Sequence, residues 1–442
     1  MKLTDRQKQA VESKSRGILV SASAGSGKTT AMVQRIIELI KNGANIGDML
    51  IITFTKAAAA DMRDKISSAV IDLCAADDKF AGQMRALPSA KIGTIDSWCS
   101  WLVKNYFYAV DADADYELIG EGEQNELFET AADSLIDEYV DKSAFFAEFY
   151  EDCLTNRRDG VFKRIVRDII DYAETRVSPE EWVTTCCSEY KSGEAERYVM
   201  QAYKEREDAV FSALHEIALR ATEMGYDKLA HCCSAAESAY YAGDDMPRMV
   251  LGRKAEYAEI NADFAPIRKQ LKDLIAYKKK IEGFTDMDET REKAKALAAF
   301  ALNVYNVLQK EKKTRGLASY ADYEHLALKV LRSESVGKEA ASAYKYVFVD
   351  EYQDVNALQD ALVAEVARDA NLFIVGDVKQ SIYAFRSSEP DIFLEKYNNP
   401  AAYGIDEVIH FNENFRSDRK IIDYCNRVFG GVMSRKFGGI EY

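Results

Sequence analysis

A glycine-rich segment that ends in lysine and threonine gives the strongest chemical signal in the sequence. It follows an apolar run, 17–22, that is typical of a buried strand, and it leads into residues with helical apolar spacing. Backbone N–H groups of such a turn can wrap phosphate oxygens, Lys28 can reach the β- and γ-phosphates, and the Thr29 hydroxyl can bind Mg²⁺. Alanine replaces the first glycine of this phosphate-loop pattern. We predict that ATP binds at Ala22, Ser23, Ala24, Gly25, Ser26, Gly27, Lys28, Thr29 and Thr30.

Two adjacent carboxylates follow another apolar run, 347–349. Phosphate-loop enzymes hold Mg²⁺ with a carboxylate at the end of a buried strand, and a neighbouring carboxylate can orient or deprotonate the attacking water. We therefore predict that Asp350 binds Mg²⁺ together with Thr29, and that Glu351 is catalytic together with Lys28. Lys28 and Asp350 lie 322 positions apart, far more than a minimal nucleotide-binding domain needs, so an insertion must separate them.

A third segment, 376–386, combines an amide with aromatic and basic residues. Gln380 follows a predicted strand, from which it can reach a γ-phosphate. Tyr383, Phe385 and Arg386 bring two rings and a cation together, a combination that suits stacking on unpaired bases. Composition alone leaves open the alternative that both rings belong to the core.

The coarse pattern of elements predicts an α/β fold with a helical insertion. Strands and helices alternate over the first hundred residues, which indicates a parallel sheet with helices on both faces. Charged amphipathic helical segments without convincing strands occupy roughly 110–318. Strands then return. The predicted strands are 17–22, 49–55, 90–95, 346–350 and 372–377, and the first helices are 29–42, 57–75 and 96–108.

Composition and charge constrain the class of protein. The 442 residues are 48% apolar and 30% charged, the profile of a globular protein with two to four domains. The formal net charge of −15 argues against nucleic acid, but residues 1–108 carry +5 and residues 109–160 carry −13, so a basic face is still expected in the first block. No signal peptide or membrane span is predicted, and eight scattered cysteines without metal-ligand spacing favour reduced cytoplasmic thiols.

Seven motifs, taken in order, resemble those of superfamily-one DNA helicases of the UvrD/PcrA/Rep type. Within that group the chain most resembles the AddA (RexA) family of ATP-dependent helicase/nuclease subunits, with the alanine-rich run 57–60 and the segment 319–325 as further details. The resemblance spans nearly all of the chain, although the insertion matches weakly. The motifs are Leu3–Gln7, Ala22–Thr29, Ile52–Met62, Gly93–Cys99, Asp350–Asp354, Gly376–Arg386 and Asn414–Ser417.

The resemblance implies roles for further residues around the nucleotide. Gln7 would hydrogen-bond the adenine, Arg35 would contact the nucleotide, Phe415 would stack on the base, and Arg416 would reach the γ-phosphate as a catalytic residue beside Gln380. It also implies a single-strand DNA path lined by Phe54, Thr55, Thr94, Ser97, Tyr383, Phe385 and Arg386.

Three departures from the family pattern weaken some of these assignments. Lys56 replaces the usual asparagine, and Ala384 replaces a frequent arginine. Asp96 replaces the histidine of the Thr-Ile-His-Ser motif, and a carboxylate repels phosphate, so a direct DNA contact by Asp96 is not expected.

The implied architecture is a RecA-like domain from residues 1–108 and 318–405, an inserted all-helical domain at 109–317, and the start of a second RecA-like domain at 406–442. The implied function is ATP- and Mg²⁺-dependent translocation on single-stranded DNA and helicase action at double-stranded DNA ends, in recombinational repair, with an AddB-type partner subunit in the cytoplasm. Because no nuclease domain is recognisable, we interpret the sequence as an N-terminal fragment with little activity alone. A UvrD/PcrA-like repair helicase and a simple ATP- or DNA-binding module remain alternatives.

Overall fold

The computed structural model describes residues 3–154, 159–189, 194–243, 254–282 and 287–434. The chain divides into two compact units. The sheet unit comprises Met1–Ser134, Arg167–Pro179 and Val304–Tyr442, and the helical unit comprises Leu135–Val166 and Glu180–Asn303.

A six-stranded, all-parallel sheet forms the centre of the sheet unit, as the sequence predicted. The strands of the chain are β1 (Gly17–Ala22), β2 (Met49–Thr53), β3 (Lys91–Thr94), β4 (Glu117–Leu118), β5 (Leu317–Ala318), β6 (Tyr346–Val349), β7 (Asn371–Gly376) and β8 (Glu407–Phe411). The order across the large sheet is β3-β2-β6-β7-β1-β8, while β4 pairs only with β5. Val20 on β1 lies between Val375 on β7 and Ile409 on β8, which sets the register at the centre.

The helices run throughout the described ranges. They are α1 (Asp5–Glu12), α2 (Lys28–Lys41), α3 (Lys56–Ala76), α4 (Ala81–Ala86), α5 (Ile95–Tyr106), α6 (Glu121–Lys142), α7 (Ala144–Leu154), α8 (Asp159–Ala173), α9 (Pro179–Glu189), α10 (Glu194–Glu223), α11 (Asp227–Ala242), α12 (Ala258–Glu282), α13 (Met287–Arg315), α14 (Tyr320–Arg332), α15 (Gly337–Ser342), α16 (Ala357–Ala367), α17 (Pro390–Asn398) and α18 (Arg419–Val432).

Both faces of the large sheet are buried, which explains why its strands are continuously apolar. Alternate residues point to opposite faces, so Ile51 packs with α2 and α3 whereas its neighbour Ile52 packs with α5, α14 and α16. Burying each such aliphatic side chain stabilises the fold by about 1.5–3 kcal/mol. The two cores therefore fix the ends of the strands in the large sheet. The predicted nucleotide-binding residues follow these strand ends.

The helical unit has its own apolar interior. Helices α10, α11 and α12 enclose buried side chains such as Phe211 and Phe264. A second group of rings surrounds Phe146, which lies 5.3 Å from Phe300 and 5.9 Å from Phe162 between ring centroids. The insertion is therefore a packed domain rather than a long loop.

The boundaries of the units differ from those expected from the sequence. Strand β8 pairs with β1, so residues 406–411 complete the first sheet instead of beginning a second domain. Residues 109–134, 167–179 and 304–317 also belong to the sheet unit. Pairing of β4 with β5, and a 2.8 Å hydrogen bond donated by the Tyr323 hydroxyl to the Tyr116 carbonyl, attach part of these connecting segments to the sheet unit.

A pair of acids, buried Glu324 and half-buried Asp96, joins α5 to α14 on one face of the sheet. Glu324 is fully enclosed, hydrogen-bonds the side chain of Asp96, and accepts a 2.8 Å hydrogen bond from the amide of Gln359 at the start of α16. Burial, followed by the charge of Asp96, raises the pKa of Glu324 to about 8. The raised pKa favours the neutral form of Glu324, which can donate a hydrogen bond to Asp96.

The close approach of β1 to the turn before β8 gives a test of the fold. A methyl group at Gly17 would overlap the backbone carbonyl of Gly404, which cannot move without displacing β8. Gly17→Ala should lower the free energy of unfolding by about 1–3 kcal/mol or more, as expected for overpacking. Gly82→Ala is the control, because nothing lies near that position in α4 and alanine favours a helix. Urea unfolding followed by circular dichroism measures both; equal stability of the two variants would contradict the packing described.

The acid pair predicts a pH dependence of stability. Because the pKa of Glu324 is raised in the folded state, its contribution to stability is present at low pH and is lost as pH rises toward about 8. Glu324→Gln, which keeps a donor to Asp96, should therefore gain stability over the native chain by more than about 1 kcal/mol between pH 5 and pH 8. Urea unfolding of both proteins at the two pH values measures this gain, and a pH-independent difference would show that Glu324 is ionised.

Candidate nucleotide-binding site

Three neighbouring parallel strands end at the same edge of the sheet and carry the predicted catalytic residues. The phosphate loop follows β1, Asp350 and Glu351 follow β6, and Asp377 follows β7, which lies between them. Ligands of open parallel sheets bind outside the carboxyl ends of the strands. The structure thus brings together segments that the helical insertion separates in sequence.

The phosphate loop depends on glycine at two positions. Gly25 and Gly27 have φ of +70° and +81°, in the left-handed region that favours glycine. A methyl group at Gly25 would also lie 2.8 Å from Cβ of Arg416, and one at Gly27 would lie 2.8 Å from the amide nitrogen of Gln7. Helix α2 begins at Lys28, so its unpaired N–H groups face the loop as an anion site requires.

Lys28 and Glu351 form an ion pair across the site. The Lys28 ammonium lies 2.7 Å from Oε2 of Glu351. Glu351 has φ 53° and ψ 45°, the left-handed conformation that non-glycine residues adopt rarely. Such strain occurs preferentially where a side chain must be aimed, and here it places the predicted base beside the predicted phosphate-binding lysine.

Asp350 is buried at the base of the site. Burial, followed by the neighbouring charge of Glu351, raises the pKa of Asp350 to about 6. No group of three or more His, Cys, Asp or Glu side chains in the described ranges is arranged to hold a metal by itself. Mg²⁺ at nucleotide sites takes only one or two carboxylates beside the phosphates, and the oxygen donors of Asp350 and Thr29 are of the kind that Mg²⁺ prefers.

A hydrogen-bonded amide that sequence reasoning missed links these strand ends. Gln353 donates to Oε2 of Glu351 at 2.9 Å and accepts from the backbone N–H of Asp377 at 2.9 Å. The Asp377 carboxylate in turn accepts from Nε2 of Gln380 at 2.7 Å. The predicted γ-phosphate residue is therefore connected to the predicted base through two buried side chains.

The segment after β8 packs against the phosphate loop. The Asn414 amide donates to the carbonyl of Ala24 at 2.8 Å, and the Phe415 N–H donates to the carbonyl of Gly25 at 2.9 Å. Phe415 and Arg416 have exposed side chains at this position. Both predicted residues are therefore next to the loop.

Two residues assigned from the family resemblance are engaged elsewhere. The Gln7 amide lies beside the loop but donates to the carbonyl of Ser26 at 2.9 Å. Arg35 is buried on α2, where it donates to the carbonyls of Ala10 and Ser13 at 2.7 and 3.0 Å; burial lowers its pKa to about 10. These bonds secure the end of α1. The structure therefore does not bring Arg35 to the nucleotide, and we assign it to the fold.

A row of aromatic rings lies beside the nucleotide site. The Phe54 ring, just after β2, lies 4.7 Å from Tyr383, and Tyr383 lies 5.7 Å from Phe385 between centroids. Phe385 is 78% exposed, so it is not a core residue. Of the two alternatives left open by composition, the structure favours an exposed platform at Phe385, whereas Phe54 and Tyr383 are half-buried.

The hydroxyls predicted to line the DNA path serve first as helix caps. Thr55 Oγ1 accepts from the N–H of Ala58 at the start of α3, and Thr94 Oγ1 accepts from the N–H of Ser97 at the start of α5. The Ser97 hydroxyl donates back to the Thr94 carbonyl. The side chain of Arg386 lies outside the described part of the structure.

None of the helices in the described ranges is long and apolar enough to cross a membrane. None of the seven cysteines whose side chains are described forms a disulfide.

Comparison with known proteins supports the same family. The UvrD/REP helicase N-terminal domain matches residues 3–401. The chain is similar to the A subunit of the ATP-dependent helicase/nuclease of Levilactobacillus brevis (32% identity, 99% of this chain, 39% of the relative) and of Pediococcus pentosaceus (30%, 99% and 39%). The corresponding protein of Latilactobacillus sakei is 29% identical over 99% of this chain and 56% of the relative. The chain thus spans about two fifths of the length of the first two relatives. With a match over most of its residues, the chain belongs to the UvrD/REP helicase N-terminal domain family.

Proposed function

We propose that this chain binds Mg-ATP and single-stranded DNA and provides ATP hydrolysis for a DNA helicase/nuclease of the kind to which its relatives belong. The ion pair between Lys28 and Glu351 carries the proposal, because it joins the phosphate loop to the catalytic carboxylate in one site. The aromatic row beginning at Phe54 lies beside the same strand ends. ATP chemistry and DNA contact would therefore share one edge of the sheet.

Each group at the site has a defined task in the proposed hydrolysis. Backbone N–H groups of the loop and Lys28 hold the phosphates, while Thr29 and Asp350 hold Mg²⁺. Bound Mg²⁺ would neutralise part of the negative charge of the phosphates. Glu351 orients water and accepts its proton, and Gln380 with Arg416 would stabilise the γ-phosphoryl group as it transfers.

The relatives suggest the wider setting. Their names describe one component of an ATP-dependent helicase/nuclease, so we propose that the protein acts on double-stranded DNA ends in recombinational repair, with an AddB-type partner, in the cytoplasm. This assignment is favoured over a UvrD/PcrA-like helicase without a nuclease because the relatives named as helicase/nuclease components match along 99% of this chain.

The catalytic assignment predicts different effects for two substitutions. Glu351→Gln should leave the affinity for a fluorescent ATP analogue within about threefold, but should lower single-turnover hydrolysis by about a hundredfold or more, since it removes the base. Lys28→Ala should weaken binding itself because the ammonium contacts the phosphates. Glu38→Gln, which changes a half-exposed side chain near the end of α2, is the control. Near-normal hydrolysis by Glu351→Gln would remove Glu351 from catalysis.

The platform assignment predicts a loss of DNA affinity without a loss of stability. Phe385→Ala should weaken binding of single-stranded DNA by about 1–3 kcal/mol, the usual contribution of one stacked base. Its thermal unfolding should be unchanged, because the ring is mostly exposed. Tyr108→Ala, which removes another exposed ring, should leave DNA affinity unchanged. Fluorescence anisotropy with labelled oligonucleotide measures both, and equal affinities would contradict the DNA path.

A further inference from the structure

The side chain of Gln353 is buried at the site and makes three hydrogen bonds there. It is 1% exposed, and its Nε2 donates to Oε2 of Glu351 at 2.9 Å and to Oδ2 of Asp354 at 3.2 Å. Its Oε1 accepts from the backbone N–H of Asp377 at 2.9 Å. One amide thus bonds both to the loop after β6 and to the end of β7.

The space around this amide is fitted to it. A methyl group at Gly376 would lie 2.8 Å from Oε1 of Gln353 and 2.8 Å from the ring of Phe393. Gly376 therefore leaves room for the amide against the end of β7. Only a side chain with a donor at one end and an acceptor at the other can serve both Glu351 and the Asp377 N–H.

The Glu351 carboxylate needs a hydrogen-bond partner that bound nucleotide does not attract away. Its carboxylate oxygen is shared between Lys28 and Gln353, at 2.7 and 2.9 Å. The Lys28 ammonium also stands in the phosphate loop, where the more highly charged phosphates would attract it. A neutral amide is not drawn to phosphate in this way, so Gln353 can retain the carboxylate when Lys28 contacts ATP.

The charges around the amide also favour a neutral side chain at position 353. Asp350, Glu351, Asp354 and Asp377 all lie at this edge, and a hydrogen bond connects Asp354 to Ser381. Burial, followed by the charge of Glu351, raises the pKa of Asp354 to about 6. A neutral donor between the Glu351 and Asp354 carboxylates reduces their repulsion, which a negatively charged residue at the same position would increase.

We propose that Gln353 is a positioning residue for ATP hydrolysis: its amide fixes the Glu351 carboxylate to the end of β7 and keeps it there when Lys28 engages the phosphates. This inference rests on the proposed function. It predicts that loss of the Gln353 amide lowers ATP hydrolysis, as loss of the Glu351 carboxylate does, while nucleotide binding is retained.

Gln353→Met tests the proposal, because methionine keeps the length of the side chain and loses all three hydrogen bonds. With the protein in saturating excess over Mg-ATP, single-turnover hydrolysis should fall tenfold or more, while the affinity for the fluorescent analogue stays within threefold. In a Glu351→Gln background the same change should alter the residual rate less than twofold.

Gln359→Met is the matched control. Gln359 is another bonded amide on the neighbouring helix, but it contacts Glu324 and not Glu351, so its loss should leave the rate within twofold of native. An unchanged rate for Gln353→Met, or an equal loss in the Glu351→Gln background, would overturn the positioning role. If the native chain neither binds the analogue nor hydrolyses ATP, the proposed function fails instead.

Thermal unfolding is measured for every variant. Should Gln353→Met lack a folding transition, Gln353→Glu replaces it, since its carboxylate still accepts from the Asp377 N–H while it loses the amide donor. The same tenfold loss, non-additive with Glu351→Gln, is then expected at pH 8. A native rate for Gln353→Glu would contradict the proposal.

Discussion

The ion pair between Lys28 and Glu351 requires that β1 and β6 end at one edge of one sheet. These strands lie more than three hundred residues apart and are separated within the sheet by β7. Buried apolar residues on both sheet faces fix the strands, and the strands fix the side chains at their ends. The whole helical unit is accommodated between them in sequence without interrupting the order of the sheet. Site geometry is therefore a consequence of strand order.

The second constraint is electrostatic. Several carboxylates meet at the strand ends, and the raised pKa of Asp350 and of Asp354 results from their burial together with the charge of Glu351. Such a site is poorly matched to phosphates alone and well matched to phosphates carrying Mg²⁺. The neutral amide of Gln353 and the ammonium of Lys28 limit the repulsion in the protein itself.

Much of this arrangement was predictable from the sequence, because strand-end motifs have strong local patterns. The parallel sheet was predicted correctly, and the phosphate loop and the Asp350–Glu351 pair lie at its strand ends as expected. The role of Gln353 was not predicted, because it depends on the strand end against which the side chain packs, and the sequence does not show that contact. Arg35 was misplaced for the same reason: sequence distance from the loop does not show that its helix face turns toward α1.

The boundaries of the helical insertion could also not be predicted from the sequence. Amphipathic spacing marks α6, α8 and α13 as helices, but it does not show which turns of each helix cluster with the sheet unit. Strands β4 and β5 have only two residues each, too short for a periodic pattern. Asp96 illustrates a third limit, since its pairing with Glu324 depends on the packing of α5 against α14.

Hydrogen–deuterium exchange with and without a non-hydrolysable Mg-ATP analogue tests most directly whether one nucleotide centre spans the insertion. The analogue should protect backbone amides in four separated segments, 22–30, 350–354, 376–381 and 414–417. Protection confined to 22–30 would show that the phosphate loop binds alone, and it would contradict a shared centre.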